Sequence, residues 1–370
     1  MYFSPQLPTK LPGSFWGIIA YFNPAGYKNK LENYRIFKER CQKQGLNILA
    51  VELAFEDKPF ELSRNDAQIL LQLRGDRQNI MWQKESLINI GLKNLPVDCD
   101  KVAWLDCDVI FKNDSWIKET SELLEKYVMV QPFSLAARLP RGVYDLDEGQ
   151  IKALPVGRSQ GQRLSSFAYA LNELKANAGH TGLAWASRKE IIARHLLYDR
   201  LIIGGADQSM AYLLYGNSWN IKAIKRSYNG KTFKHLMNWA NSLRKDTQGS
   251  IGYAGGILMH LWHGNKEERM HIFRNSIVFN LLDFDPGKDI RLSPDGFLEW
   301  VSDKPELHKV VEKYFSLRNE DGSKEPLGSI NILRRAFNII FFLPAMRRAV
   351  IFFLRKGFSL VGFVKRIVYP

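Results

Sequence analysis

Residues 81–111 read MWQKESLINIGLKNLPVDCDKVAWLDCDVIF, and this stretch predicts the fold class. Its first half is amphipathic with a helical period and is ended by Pro96. An apolar run, 101–105, follows and leads into the acidic pair Asp106 and Asp108. A helix followed by a buried strand with polar residues at its end is typical of α/β domains, whose ligands gather beyond the carboxyl ends of the strands.

The sequence on both sides continues this alternation of strands and helices. The predicted strands are 15–22, 47–55, 101–105, 127–132 and 183–187. The predicted helices are 28–43, 78–95, 115–126 with Ser115 as its cap, and 165–176, with others beginning at 188 and after Gly205. We therefore expect a Rossmann-like α/β domain in which a mixed sheet is flanked by helices.

The chain divides by composition into three parts. Residues 1–303 carry the alternating pattern and are expected to form the main domain, 304–330 a polar helix and linker, and 331–370 basic amphipathic helices. Within the main domain, 138–162 mixes proline and glycine with arginines. Loops of that length in compact domains are usually functional, so we expect a mobile lid there.

The charge of the protein is unevenly distributed. Lys and Arg number 52 against 38 Asp and Glu, a net +14, which usually indicates a polyanionic partner. Residues 331–370 contain eight basic residues and no acid, so that segment carries +8 and residues 1–330 carry only +6. This distribution argues against nucleic acid as the partner.

The basic segment 331–370 predicts a membrane contact. Its apolar runs are broken by Pro344 and by paired arginines, so they are too short to span a bilayer but suit helices lying in the interface on anionic headgroups. A helical hairpin packed on the domain with a basic outer face is the alternative.

Three cysteines without CxxC spacing suit a reducing compartment, and the first residues lack a signal-peptide pattern. We expect a cytoplasmic protein attached peripherally to the inner face of the cell membrane.

Asp106 and Asp108 form the strongest chemical motif. They lie between the apolar runs 101–105 and 109–111, so the pair is expected against a core. Burying two carboxylates without a cation would be costly. Hard oxygen ligands in an open site suit Mg²⁺ or Mn²⁺ with positions left for substrate phosphates. The alternative is an ordinary acidic pair on a solvated surface.

Residues 81–111 are similar to a segment of the GT-A-fold glycosyltransferases, in particular the beta-galactosyltransferase group, in which an aromatic-x-basic helix start, Asn-x-Gly, a strand and D-x-D follow one another. Three further matches follow in order. Residues 179–184 (GHTGLA) resemble that family's Gly-rich acceptor-side strand, 204–208 (GGADQ) its Gly-Gly-Glu-Asp-Asp turn, and 260–263 (HLWH) its C-terminal metal histidine. The resemblance covers about residues 15–300, and Ala206 stands where the family has Glu.

The resemblance implies a GT-A-type fold and a metal-dependent inverting hexosyltransferase, galactosyltransferase-like, acting in cell-surface polysaccharide synthesis. The sugar would move from a nucleotide donor, by family a UDP-sugar, to a hydroxyl of a glycan or glycolipid. A cation that bridges the diphosphate stabilises its developing charge. Asp106 and Asp108 would hold Mn²⁺ or Mg²⁺ with His263 as third ligand and His260 as the weaker candidate.

The family match also implies roles for other residues. Asp207 would be the general base, although its place before an apolar-periodic segment predicts a helix N-cap equally well. The donor would lie against Phe22, Asn23, Trp82 and Lys84, and the acceptor against Gly182, Gly204 and Gly205. Weaker candidates are Arg74 and Arg269 for phosphate binding and Trp185, Trp219 and Trp262 for stacking on a sugar.

Other functions remain open at this stage. A retaining transferase of the same fold would leave Asp207 structural. A non-catalytic module that binds nucleotide-sugars or glycans, or a nucleic-acid-binding protein, would lack turnover. The segment 230–232 (GKT) resembles the end of a P-loop, but the required upstream glycine is Lys225, so that motif fails.

Overall fold

The structure, a computed structural model, describes residues 10–269 and 274–322. The predicted basic segment 331–370 and the end of the predicted linker lie outside the described residues. Within the described part of the chain, no helix has the length and apolar character needed to cross a bilayer.

A seven-stranded mixed sheet forms the centre of the fold. Its strands in spatial order are β10 (Ile251–Tyr253), β6 (Met129–Gln131), β9 (Ala184–Arg188), β4 (Cys99–Leu105), β1 (Ser14–Phe22), β2 (Asn47–Phe55) and β3 (Ile69–Gly75). The four strands from β4 to β3 are parallel, whereas β9 runs antiparallel between β4 and β6. The expected α/β fold, a mixed sheet flanked by helices, is therefore confirmed.

The central strands are covered on both faces, as their continuous apolar sequences require. In the register of the sheet, Ile18 of β1 lies opposite Leu49 of β2 on one side and Trp104 of β4 on the other. All three side chains are almost fully buried. Parallel strands place their carboxyl ends at one edge, so Phe22 and Leu105, the last residues of β1 and β4, lead into the same cleft.

A second sheet of four strands brings distant segments to that edge. Its order is β5 (Val109–Phe111), β11 (Ile257–His260), β7 (Leu135–Arg138) and β8 (Gln162–Ser165). Its register pairs His260 with Val109 on one side and with Arg138 on the other. His260 is thus placed beside the residue that follows Asp108. A small hairpin, β12 (Ile290–Leu292) and β13 (Leu298–Trp300), forms a third sheet.

The α-helices in the described residues flank these sheets. They are α1 (Lys28–Lys43), α2 (Lys84–Lys93), α3 (Trp116–Leu124), α4 (Glu148–Ala153), α5 (Phe167–Asn172), α6 (Lys189–His195), α7 (Ala206–Tyr215), α8 (Ser218–Ser227), α9 (Gly230–Thr247) and α10 (Pro305–Leu317). Ser115 is the N-cap residue of α3, as expected. The segment 138–162 is not wholly a loop, because it contains α4 and its two ends lie in β7 and β8.

The helix expected between 304 and 330 is α10. Its inner face is buried through Leu307, Val310, Val311, Tyr314 and Phe315, so it is amphipathic and packs on the domain. The following residues, 318–322, run along the cleft. The division of the chain at 303 and 330 stays a prediction.

Candidate active site

A cleft of about 370 Å³ lies at the carboxyl ends of β1 and β4. Most of the residues singled out in the sequence line it, including both motif aspartates, both motif histidines, Asp207 and the three motif glycines. Of the four residues expected against the donor, Asn23 alone is not in this lining, because it borders a smaller neighbouring cavity instead. The cleft therefore brings together segments that are far apart in the chain.

Asp108, His260 and His263 converge on one point. Their candidate ligand atoms all lie within 4.8 Å of one another. Nε2 of His260 lies 3.4 Å from Oδ1 of Asp108, and Nε2 of His263 lies 3.3 Å from Oδ2 of the same carboxylate. The two Nε2 atoms are 2.9 Å apart. One carboxylate and two imidazoles at such spacing form a donor set that suits a divalent transition metal.

The chemistry of these side chains fits a cation. Oδ1 of Asp108 is buried and accepts no well-aligned hydrogen bond from the described residues, since Nε2 of His260 lies 3.4 Å away from it. Burial lowers the pKa of His263 to about 4 and also lowers the pKa of His260, so both rings are neutral near pH 7 and one nitrogen of each carries a lone pair. A metal ion bound here would provide the partner that this carboxylate oxygen and the lone pairs of the neutral imidazoles lack.

The two histidines differ in what holds their other ring nitrogen. Nδ1 of His263 faces a carboxylate oxygen of Glu320 at 3.8 Å, which favours a proton on Nδ1 and a lone pair on Nε2. Nδ1 of His260 instead lies 3.5 Å from Nη1 of Arg138, which can only donate. His260 is therefore left with its proton on Nε2, the nitrogen that faces the convergence point. This difference favours His263 over His260 as a ligand, although a metal bound there would have to displace Arg269, whose Nη2 lies 2.5 Å from Nε2 of His263.

Asp106 does not join that group. Its Oδ1 accepts a hydrogen bond from Nζ of Lys84 at 2.6 Å, and the same ammonium donates to Oδ2 of Asp207 at 2.9 Å. Lys84 is buried, yet the charges of Asp106 and Asp207 raise its pKa well above the ordinary value despite the opposing effect of burial. Lys84, expected to reach phosphates, therefore bridges two acidic residues.

Asp207 lies in the first turn of α7 and faces the cleft. It is not the N-cap of that helix, because Gly205 holds this position and Asp207 is the second helical residue. Burial raises its pKa, Lys84 opposes that effect, and the charge of Asp106 adds to it. A carboxylate with a raised pKa and one oxygen bound to a fixed ammonium is suited to accept a proton on the other oxygen.

The turn before α7 is built on two glycines with positive φ, +80° at Gly204 and +109° at Gly205. A Cβ on Gly204 would lie 3.1 Å from the indole of Trp82. The glycines therefore let the turn pass under this ring. At Gly182 a Cβ would lie 3.3 Å from Oδ2 of Asp207, so the absence of a side chain there keeps the carboxylate accessible.

The aromatic wall of the cleft consists of Phe22 and Trp82. Their rings meet edge to face at 5.4 Å, and the guanidinium of Arg318 lies 5.2 Å from the Trp82 ring. The indole nitrogen of Trp82 has no hydrogen-bond partner in the described part of the chain.

Asn23 has a structural role, since its side chain binds Tyr27 and Glu61 and fixes the loop before α1.

The weaker sequence candidates mostly lie elsewhere. Trp185 is fully buried in the core, Trp219 is 67% exposed on α8, and Trp262 lies in a separate surface pocket under Arg141. Arg74 binds backbone carbonyls of Glu56 and Lys58 outside the cleft. Arg269 does line the cleft, where its Nη2 lies 2.5 Å from Nε2 of His263.

Several charged residues that line the cleft were not singled out in the sequence. Arg318 and Glu320 follow α10, and Glu320 contacts both Arg318 and His263. Arg138 at the end of β7 donates to Nε2 of His180 at 2.8 Å. No local motif marks these residues, because they reach the cleft only through the long-range pairing of β7 with β11 and the packing of α10.

No family model matches the sequence. No curated protein matches it either. Among solved structures, glucosyl-3-phosphoglycerate synthase from Mycobacterium tuberculosis, in complex with Mn²⁺, uridine diphosphate and phosphoglyceric acid, is 12% identical. That match covers 68% of this chain and 72% of the synthase, with a TM-score of 0.30.

Two further solved structures are similarly distant. S. aureus TarS 1–349 is 11% identical over 90% of this chain and 81% of its own, with a TM-score of 0.32. The catalytic domain of Drosophila beta1,4galactosyltransferase 7, in complex with xylobiose, is 13% identical over 56% of this chain and 61% of its own, with a TM-score of 0.27. At these identities and scores the matches establish nothing about the chemistry of this chain.

Proposed function

We propose that the chain is a metal-dependent glycosyltransferase that moves a sugar from a nucleotide donor to a hydroxyl group, with inversion at the anomeric carbon. One observation carries the proposal: a carboxylate–imidazole group of metal-ligand geometry and a separate carboxylate, Asp207, share one cleft. The first group suits binding of a diphosphate leaving group through a cation, and the second suits proton removal.

The metal would be held by Asp108 and His263, with His260 beside them. Mn²⁺ or Mg²⁺ bound there would supply Lewis-acid stabilisation of the charge that develops on the departing diphosphate. The buried Oδ1 of Asp108 supports this role, since it accepts no well-aligned hydrogen bond and leaving a buried carboxylate oxygen in that state is costly. Asp106 would act next to this group rather than in it, because its carboxylate is bound to Lys84.

The transfer step is a displacement at the anomeric carbon. The acceptor hydroxyl oxygen would form a bond to that carbon while the bond from the carbon to the diphosphate oxygen breaks, and the diphosphate leaves with the electron pair. Asp207 would take the hydroxyl proton on the oxygen not bound to Lys84. Attack from the face opposite the diphosphate inverts the configuration.

The donor nucleotide would bind along the aromatic wall. Phe22 and Trp82 offer ring surface, and Arg318 adds a cation beside them. A uridine nucleotide, a galactose-like sugar and an acceptor in cell-surface polysaccharide are proposed from the sequence resemblance. The free indole N–H of Trp82 offers a hydrogen-bond donor to an acceptor atom of the nucleotide.

A donor screen tests the proposal. The full chain with Mn²⁺ is supplied with a panel of nucleotide sugars, and released nucleoside diphosphate is measured with and without EDTA. We expect release from one donor class, lost with EDTA and in the Asp108→Asn variant. No metal-dependent release from any donor, with nucleotide binding retained, would replace this proposal with a non-catalytic nucleotide-sugar-binding module.

The ion pair between Lys84 and Asp207 supports one alternative. If Lys84 serves only to neutralise this buried carboxylate and neither oxygen takes a proton, Asp207 is structural, as a retaining transferase of the same fold would have it. Resolving the anomeric configuration of the product by NMR separates the two mechanisms. Retention would remove the base role from Asp207 while leaving the metal group and the donor site in place.

A further inference from the structure

The cleft carries more positive charge than a metal and a nucleotide require. Among the described residues that line it, eight are lysines or arginines and four are carboxylates. A divalent ion and a nucleoside diphosphate together carry a net charge of about −1. About three positive charges of the cleft lining then exceed its negative charges, and a surplus of that size attracts a second anionic group.

The surplus is divided between two walls that flank the metal group. On one side, Arg269 contacts His263, and Arg274 and Arg318 surround the hydroxyl of Tyr314. On the other side, Arg138 contacts His260 and His180. The first wall adjoins Trp82, where the donor nucleotide is proposed to bind, so its charges face the donor phosphates.

The second wall adjoins the proposed base. Arg158 donates a hydrogen bond to the backbone carbonyl of Gly179. The segment that leads from Gly179 into β9 includes Gly182, which lies against Asp207. Burial lowers the pKa of Arg138, and the charge of Arg158 adds to this effect while the charges of Asp108 and Asp106 oppose it. Neither arginine forms a salt bridge with a carboxylate among the described residues, and Nε of Arg138 is buried without a hydrogen-bond partner.

We infer that Arg138 and Arg158 form an anion subsite for the acceptor, which carries a phosphate or carboxylate close to the hydroxyl that is glycosylated. This inference rests on the proposed function and names its acceptor class. Two guanidiniums offer paired N–H donors that match the planar geometry of a carboxylate or the oxygens of a phosphate. His180, kept neutral because burial and Arg138 lower its pKa, adds no charge to the subsite.

The subsite can be tested without knowledge of the acceptor. The full chain is saturated with Mg²⁺ and UDP, and methyl phosphate or acetate is then titrated by isothermal titration calorimetry. We expect one of these anions to bind to the loaded protein. Tighter binding of methyl phosphate assigns a phosphorylated acceptor, and tighter binding of acetate assigns a carboxylated one.

Variants locate the binding. We expect Arg158→Gln and Arg138→Gln each to weaken binding of the anion roughly 10- to 100-fold, which is the effect of losing one charge-assisted hydrogen bond. Arg226→Gln, which removes an exposed charge on α8, is the control and should leave the anion affinity unchanged. Because Arg158 is exposed on the surface, its variant should fold even if Arg138→Gln does not.

The outcomes separate the two levels of the proposal. Failure of Mg²⁺ and UDP to bind at all would count against the proposed function itself. Binding of Mg²⁺ and UDP with no uptake of either anion would overturn the acceptor subsite alone. The same would follow if Arg226→Gln weakened the anion as much as Arg158→Gln, since the attraction would then be general and not local.

Discussion

The ammonium of Lys84 lies 2.9 Å from Oδ2 of Asp207 and 2.6 Å from Oδ1 of Asp106. One buried cation thus holds the carboxylate that follows β4 and the carboxylate at the start of α7 in a fixed arrangement. Lys84 opposes the effect of burial on the pKa of Asp207. Asp108 instead lies against the two histidines.

Replacing Asp207 with Asn should abolish sugar transfer and spare the metal. The amide cannot accept the hydroxyl proton, and removing a general base typically lowers the rate by about 10²- to 10⁴-fold. Mn²⁺ affinity should stay within about twofold, because Asp207 lies outside the metal group. Single-turnover transfer and Mn²⁺ titration measure the two quantities. Full transfer activity in Asp207→Asn would contradict the base assignment.

The pH dependence of transfer should report the same carboxylate. Burial raises the pKa of Asp207, so its active, ionised form is lost as the pH falls through a value above the ordinary 3.8. Lys84→Met removes a neighbouring cation, which should raise this pKa further and move the acid limb of kcat/KM to higher pH. Lys93→Met, on the exposed end of the same helix, should not move it.

Metal affinity should distinguish the two histidines of the cleft. His263→Ala should weaken Mn²⁺ binding by at least about tenfold, because Glu320 favours the tautomer whose lone pair is on Nε2, the nitrogen that faces Asp108. His260→Ala should weaken it less, since Arg138 occupies the acceptor nitrogen of that ring. Mn²⁺ titration followed by EPR measures both, with the exposed His235→Ala as control. Equal losses in the two cleft variants would show that both rings bind the ion.

Gly204→Ala should destabilise the protein. The residue has φ +80°, and the new methyl group would lie 3.1 Å from the Trp82 ring. We expect the free energy of unfolding to fall by about 1–3 kcal/mol. Gly230→Ala, in the first turn of α9 with no atom within 4 Å of the added Cβ, should be neutral or stabilising by up to about 1 kcal/mol. Urea denaturation of both variants provides the comparison.

Deleting 331–370 should release the protein from membranes and leave nucleotide binding intact. The segment carries +8, and basic residues near an anionic surface contribute about 1 kcal/mol each. Co-flotation with vesicles containing anionic lipid, compared with neutral vesicles, measures attachment, and UDP titration measures the cleft. Unchanged flotation of the truncated chain would place any membrane contact elsewhere.

The sequence predicted the central sheet well because its strands are continuous apolar runs. The helix Lys28–Lys43 and the strand Asn47–Phe55 are found at the predicted residues. β3 was missed because Gln72 and Arg74 interrupt the apolar pattern of this edge strand. The strands of the second sheet are three or four residues long, too short for a periodic signal.

The sequence predicted the site residues that form local motifs. It did not predict those that only the tertiary structure brings to the cleft. The D-x-D pair and the two histidines were found as candidates, and the cleft brings all four together. The sequence could not show that Lys84 forms a salt bridge with Asp106, because this contact depends on where α2 begins relative to the end of β4. The position of Arg138 depends in the same way on the pairing of β7 with β11, and that of Arg318 on the packing of α10.

The segment 318–322 reaches the cleft from the far end of the folded chain. Asp321 accepts hydrogen bonds from the first backbone N–H groups of α1, and Glu320 lies against His263. The earliest helix and the last described residues therefore complete the same site. During synthesis on the ribosome, the cleft stays incomplete until this segment has left the exit tunnel, so a nascent chain that has already folded its sheet still lacks the contact of Glu320 with His263.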